Sequence, residues 1–140
     1  MTIRLRPHHL LCMLTYVGEG YSAAFIENYD AVIRRMGEGE SVAIVAGPDD
    51  VCAPLACESG AHCHRSSVVG RDREAARDVG ALLGIDIAVG TELQIHAGML
   101  ATLRAAFRTG RIRAACAGCE WTDLCTGVAQ AAFPGVRLKA

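Results

Sequence analysis

Read for where apolar side chains recur, the chain divides into short helices and shorter strands. Residues 2–6 alternate weakly, which predicts a short edge strand. Pro7 suits a first helical turn, and His8 to Val17 reads as a short apolar helix broken by Gly18-Glu19-Gly20. Ser22 is a good N-cap for a helix running to about Met36. Its Phe25, Ile26, Tyr29, Val32, Ile33 and Met36 recur at spacings of three and four, and Gly37 and Gly39 end it. Ser41 to Ala46 is a short apolar run bounded by Gly47-Pro48, the pattern of a buried strand.

The second half repeats the alternation with longer interruptions. Residues 47–70 are rich in Gly, Pro, Ser, Cys and His and show no period, so they read as a long loop. Arg71 to Leu83 is a charged amphipathic helix with Ala75, Ala76, Val79, Leu82 and Leu83 as its apolar stripe, and Gly84 suits the position after its end. Ile85 to Val89 alternates, which predicts a further strand. Thr91 is then expected to cap a helix to about Arg108, with Leu93, Ile95, His96, Met99, Leu100, Leu103 and Phe107 inward, and His96 as a satisfied core histidine. Gly110 ends it, residues 111–125 form a second loop, and 126–133 make one or two helical turns. The expected fold is α+β: about four helices, a two- or three-stranded sheet and two cysteine-rich loops in one domain spanning 1–140.

Composition narrows the function. Hydrophobic residues are 51% and charged residues 21%, which suits a globular chain and not a disordered one. Fourteen basic residues against fifteen acidic ones give a net charge of −1, without the basic excess of a general nucleic-acid binder. No apolar run reaches the length of about 18 residues that a membrane helix needs, and the N-terminus lacks the apolar core of a signal peptide. The expectation is a cytoplasmic protein with no nucleic-acid or membrane partner.

Seven cysteines in 140 residues are the unusual feature. A reducing compartment disfavours a disulfide framework, and an odd number would leave one thiol over. Cys52, Cys57 and Cys63 lie in the first loop, Cys116, Cys119 and Cys125 in the second, and Cys12 stands alone. Clustering of this kind points to metal or redox chemistry. Cys116-Ala117-Gly118-Cys119 is a Cys-x2-Cys unit whose tight turn lets two sulfurs converge on one metal. Trp121 would exclude water beside it. Each loop offers three sulfurs and a tetrahedral site or a 4Fe–4S cluster takes four ligands, so one centre drawing on both loops is expected. Six thiols exceed four, so either two are spare or there are two sites with His62, His64, His8 or His9 completing a shell, and Arg65, Arg71, Arg73, Arg111 and Arg113 could offset thiolate charge. Thirteen of the fourteen basic residues are arginine, so arginine near any site is unsurprising here.

His8 and Cys12 are four apart on a helix and share a face, so they are able to meet a metal together. The preferred reading is plainer: histidines that make local hydrogen bonds at a helix start, and Cys12 as a small core residue. Asp49-Asp50 is an acid/base candidate for which a turn or helix cap is preferred.

Four segments together resemble a known family. They are Arg6-Pro7-His8-His9-Leu10-Leu11-Cys12, then Gly20-Tyr21-Ser22 with Phe25 and Asn28-Tyr29, then Asp49-Asp50-Val51-Cys52, and last Cys116-x2-Cys119-x-Trp121-x3-Cys125. Over nearly the whole chain they resemble domain-of-unknown-function family 1284, a group of small prokaryotic proteins. The first cluster departs from the family pattern. Four residues separate Cys52 from Cys57 where the family has two, and no proline follows Cys57. The resemblance implies an iron–sulfur protein and supplies no reaction or substrate. The leading expectation is therefore a non-catalytic protein holding an iron–sulfur cluster of 4Fe–4S type between the two cysteine loops. It would transfer electrons with a redox partner protein or sense redox state. The alternatives are a structural zinc site and a thiol-based redox enzyme using Cys116 and Cys119.

Overall fold

A computed structural model describes residues 2–18, 23–46, 49–51, 66–113, 122–133 and 135–138. In chain order they form β1 (Ile3–Leu5), α1 (His9–Thr15), α2 (Ala23–Gly37), β2 (Ser41–Ile44), α3 (Ser66–Leu83), β3 (Glu92–Gln94), α4 (Ala97–Arg108) and α5 (Thr122–Gln130). The α+β class is as expected. Among the described residues, no helix is long and apolar enough to cross a membrane.

The three strands form one sheet in the order β1-β2-β3. β1 pairs parallel with β2, setting Ile3 opposite Val42 and Leu5 opposite Ile44. β3 pairs antiparallel on the other side of β2, with Leu93 opposite Val42. Ile3, Leu5, Val42 and Ile44 share one buried face because side chains two apart along a strand point the same way.

α1 lies at the centre. His9, Leu10, Leu11, Met13, Leu14 and Thr15 are all buried, and the helix packs against α3, α4 and α5. A helix apolar on every side is one surrounded by protein. Seven residues are too few to hold a helix alone, so α1 owes its existence to that packing. Arg104 of α4 closes its end by donating from Nε to the Leu14 carbonyl at 3.3 Å. α2 buries Phe25, Tyr29, Val32, Ile33 and Met36, the stripe expected from spacing.

Four sequence expectations need correction. Ile85–Val89 is not a strand. Ile85 and Val89 are 44% and 69% exposed, and only Ile87 turns inward. The strand is Glu92–Gln94, where pairing with β2 overrides a pattern that had been absorbed into the following helix. Thr91 does not cap that helix. Its hydroxyl accepts from the Ala88 N–H and donates to the Asp86 carbonyl, both at 3.1 Å, which holds the turn before β3. His96 is an exposed N-cap whose Nδ1 accepts from the Met99 N–H at 3.1 Å, and not a core residue. In addition, α3 starts at Ser66, inside the expected loop, and α5 starts at Thr122, so Cys125 is helical.

α3 ends as its sequence implies. Gly84 takes φ +70°, and the Ile85 N–H reaches back to the Gly80 carbonyl at 3.1 Å, closing a Schellman motif. This makes Gly80 a contact residue, because a Cβ there would sit 2.8 Å from the Ile85 carbonyl oxygen. Gly70, on the same helix, faces open space. Gly70→Ala is expected to stabilise the protein by about 0.5–1 kcal/mol in urea denaturation. Gly80→Ala is expected to destabilise it by about 1–3 kcal/mol despite alanine's better helix propensity.

Candidate metal centre

β1 stops one residue short of Arg6, and Pro7-His8 makes the turn into α1, with the His9 N–H bonded to the Arg6 carbonyl at 3.0 Å. That turn sets His8 and His9 side by side in the interior, 7% and 6% exposed. Their ring centroids are 4.3 Å apart. Cys12 follows three and four positions later, and so lies one helical turn along on the same side. One ligand atom from each of His8, His9 and Cys12 falls within 4.8 Å of the other two. These three residues form a group able to hold a metal ion.

Both histidines are oriented by distant carboxylates. His8 Nδ1 lies 2.6 Å from Asp72 Oδ1, a partner 64 residues away on α3. His9 Nδ1 lies 2.6 Å from Asp49 Oδ2, a partner 40 residues away past the end of β2. Asp72 Oδ1 also accepts from the His8 N–H at 3.2 Å, and Asp49 Oδ2 from the Arg6 N–H at 2.8 Å. Oxygens already accepting in this way place the ring proton on Nδ1, as donor. In that tautomer Nε2 carries the lone pair of each ring, the atom type that ligates a metal. Carboxylates hold metal-binding histidines in this manner in many metalloproteins.

Arg6 completes the arrangement. It is fully buried, and its guanidinium pairs with Asp72 Oδ2 through Nε at 2.9 Å and Nη2 at 2.8 Å. Asp50 faces the other way and grips Arg4, accepting its N–H at 2.8 Å and its Nη2 at 3.1 Å. Asn28 of α2 donates to the Asp50 carbonyl at 2.5 Å. Among the described residues the Asp49-Asp50 pair caps no helix, and Asp50 lies in a turn, one of the two plainer expectations. The pair ties the segment after β2 to β1 and aims His9.

Burial and the neighbouring His9 push the His8 pKa down to about 4, and the bond to Asp72 restores only part of the loss. His8 is neutral near pH 7, the form that ligates. Burial alone would raise Asp72, but its bonds from His8 and Arg6 outweigh that and hold the carboxyl below its usual range. Two carboxylates and one guanidinium meet here among the described residues, so the site favours a cation. Two imidazole nitrogens and a thiolate are borderline-soft donors that fit iron or zinc and suit magnesium or calcium poorly.

Of the expected ligands, Cys52, Cys57, Cys63, Cys116 and Cys119 lie outside the described residues, as do His62, His64, Arg65, Gly118 and Trp121. Cys125 is half-buried on α5, and its Sγ accepts from Thr15 Oγ1 at 3.0 Å across 110 positions of sequence. Thr15 is one turn beyond Cys12 on α1, so Cys125 borders the His8–His9–Cys12 group without belonging to it. Arg73 and Arg111 are exposed, while the Arg113 guanidinium lies 4.6 Å from the Phe107 ring centroid and donates to Thr126 Oγ1 at 2.7 Å. The plainer reading of the N-terminal segment is corrected. Cys12 is half-buried and is no core residue, and the histidines converge with it. The signal, His8 with Cys12 four positions on along an apolar helix, was visible but ranked second. Asp49 stood out only as half of an acidic pair, and Asp72 carried no local signal.

A protein family described as of unknown function (DUF1284) matches residues 20–125. No curated protein and no solved structure matches the chain.

Because folded His8 stays neutral down to about pH 4 while an unfolded histidine takes a proton near pH 6.5, the unfolded chain binds more protons between those values. The metal-free protein is expected to keep the His8 contribution above pH 6.5. It should lose about 3 kcal/mol of stability as pH falls from 6.5 to 4, read by urea midpoints across that range. His8→Asn, which keeps a donor for Asp72 and does not titrate, should flatten that slope.

Proposed function

The chain belongs to the DUF1284 family of unknown function, and we propose that its role is to hold an iron–sulfur cluster for electron transfer or redox sensing. The cluster site is built around the first turn of α1. The observation that carries this reading is the pair of carboxylate-anchored imidazoles beside Cys12, with ligand atoms within 4.8 Å. In this reading His8, His9 and Cys12 supply part of the ligand set. Cys52, Cys57, Cys63, Cys116, Cys119 and Cys125 are the reserve of thiolates from which the rest is drawn.

Connectivity supports the proposal. Asp49 stands three residues before Cys52 and Asp72 nine residues after Cys63, so the chain on either side of the first cysteine segment is bonded to a ligand histidine. Cys125, the last member of the second segment, is bonded to α1 through Thr15. Thiolate richness favours iron, and imidazole ligands raise a cluster's potential above that of an all-thiolate one. A redox role requires a partner protein that supplies or removes the electron. Zinc is the second reading, supported by the mixed nitrogen and sulfur donors, and would make the centre a structural staple.

Protein isolated without oxygen is expected to be brown, to contain iron and acid-labile sulfide, and to bleach with dithionite. Colourless protein with stoichiometric zinc would replace the first reading with the second. Protein that binds neither metal would end both. Asp72→Asn removes the charge that orients His8 and should weaken metal retention against a chelator by about 10- to 100-fold.

A further inference from the structure

Tyr29 is 5% exposed, and its hydroxyl is buried with no hydrogen-bond partner among the described residues. A buried hydroxyl left in that state is costly, and phenylalanine would avoid the cost while keeping the ring. The ring cannot swing to seek a partner. It stacks on Tyr16 with centroids 3.9 Å apart at 15°, and meets Phe25 edge-on at 5.7 Å and 89°. Tyr16 shows what a satisfied neighbour looks like, since its hydroxyl donates to Asp30 Oδ1 at 2.9 Å.

Tyr29 lies near the metal centre: its ring stacks on Tyr16, the residue after the Thr15 that binds Cys125, and its neighbour Asn28 donates to the carbonyl of Asp50, next to Asp49. Burial first, and then the charges of Cys12, Asp49, Tyr16 and Cys125, hold its pKa well above the usual phenol value. A phenol keeps its proton at neutral pH, so the hydroxyl is a hydrogen-bond donor. Two of those four groups belong to the centre and a third borders it: Cys12 is a ligand candidate, Asp49 orients His9, and Cys125 lies alongside. A single donor, rigidly held near the centre and without an acceptor among the described residues, matches a site whose acceptor arrives with its ligand.

We infer that Tyr29 is part of the centre, its hydroxyl donating a hydrogen bond to an electron-rich atom that a metal held by His8, His9 and Cys12 carries into the pocket. This rests on the metal-binding reading above and adds to it a residue and a ligand position. The acceptor is sulfide if the metal is iron in a cluster, and water or hydroxide if a lone ion binds.

Tyr29→Phe keeps the ring stack and removes only the donor. Metal-free wild-type and Tyr29→Phe proteins are to be compared without oxygen in two loadings, cobalt(II) alone and equal amounts of ferrous and ferric iron with sulfide. The variant is expected to bind cobalt(II) about five- to tenfold more weakly if water is the acceptor. If sulfide is the acceptor, its cluster should form with a lowered reduction potential. Tyr16→Phe, altered away from the centre, should change neither quantity. The metal-free variant should be as stable as wild type or more so, since the lost hydroxyl has no partner among the described residues. Equal affinity and equal potential in both loadings would overturn the assignment. So would a loss of stability in the metal-free variant, which would reveal a partner already present. Wild-type protein that takes up neither loading would instead remove the metal-binding reading itself, and this inference with it.

Discussion

Arg6 has none of its surface exposed, and a guanidinium in the interior persists only where carboxylates match its charge and its donors. Asp72 does this from α3, and Asp49 binds the backbone N–H of the same residue. Three separated pieces of chain are fixed in this way: the end of β1, the segment after β2 and the start of α3. Removing one partner would strand charge inside the protein, which costs far more than a surface ion pair contributes. The parallel pairing of β1 with β2 and the entry of the chain into α1 follow from the same junction.

The candidate site is a by-product of that junction. Asp72 meets the Arg6 guanidinium with Oδ2 and takes the Nδ1 proton of His8 on Oδ1, while Asp49 Oδ2 accepts both the Arg6 N–H and the Nδ1 proton of His9. One network thus stabilises the fold, keeps both imidazoles in one tautomer and turns their remaining lone pairs away from the carboxylates. The sheet does little more than present the end of β1. α1 does the rest, carrying His9 and Cys12 one turn apart and Thr15 a turn further on, where Cys125 binds.

Elements with a full-length periodic stripe were legible in the sequence. The stripe of α2 and the run Ser41–Ile44 behave as their spacing implies, because burial alone decides them. β3 was not legible. Glu92-Leu93-Gln94 is too short to show a period, and its identity comes from pairing with β2. Its single apolar residue, Leu93, also fits the helical pattern that continues through Met99 and Leu103. The site divides in the same way. The adjacent His8 and His9 with Cys12 were visible as a motif, but a lone Asp72 in a charged helix looks like any solvated face. What makes it functional is contact across 64 positions of sequence, and no local rule encodes that.

The reach of these bonds sets an order of events. Among the described residues His8 is anchored by Asp72 across 64 positions, and Thr15 meets Cys125 across 110. Ring closures of that span are slow to form. Residues 8–12 therefore lack their pairing carboxylates until Asp49 and Asp72 have been added and α3 has docked on α1.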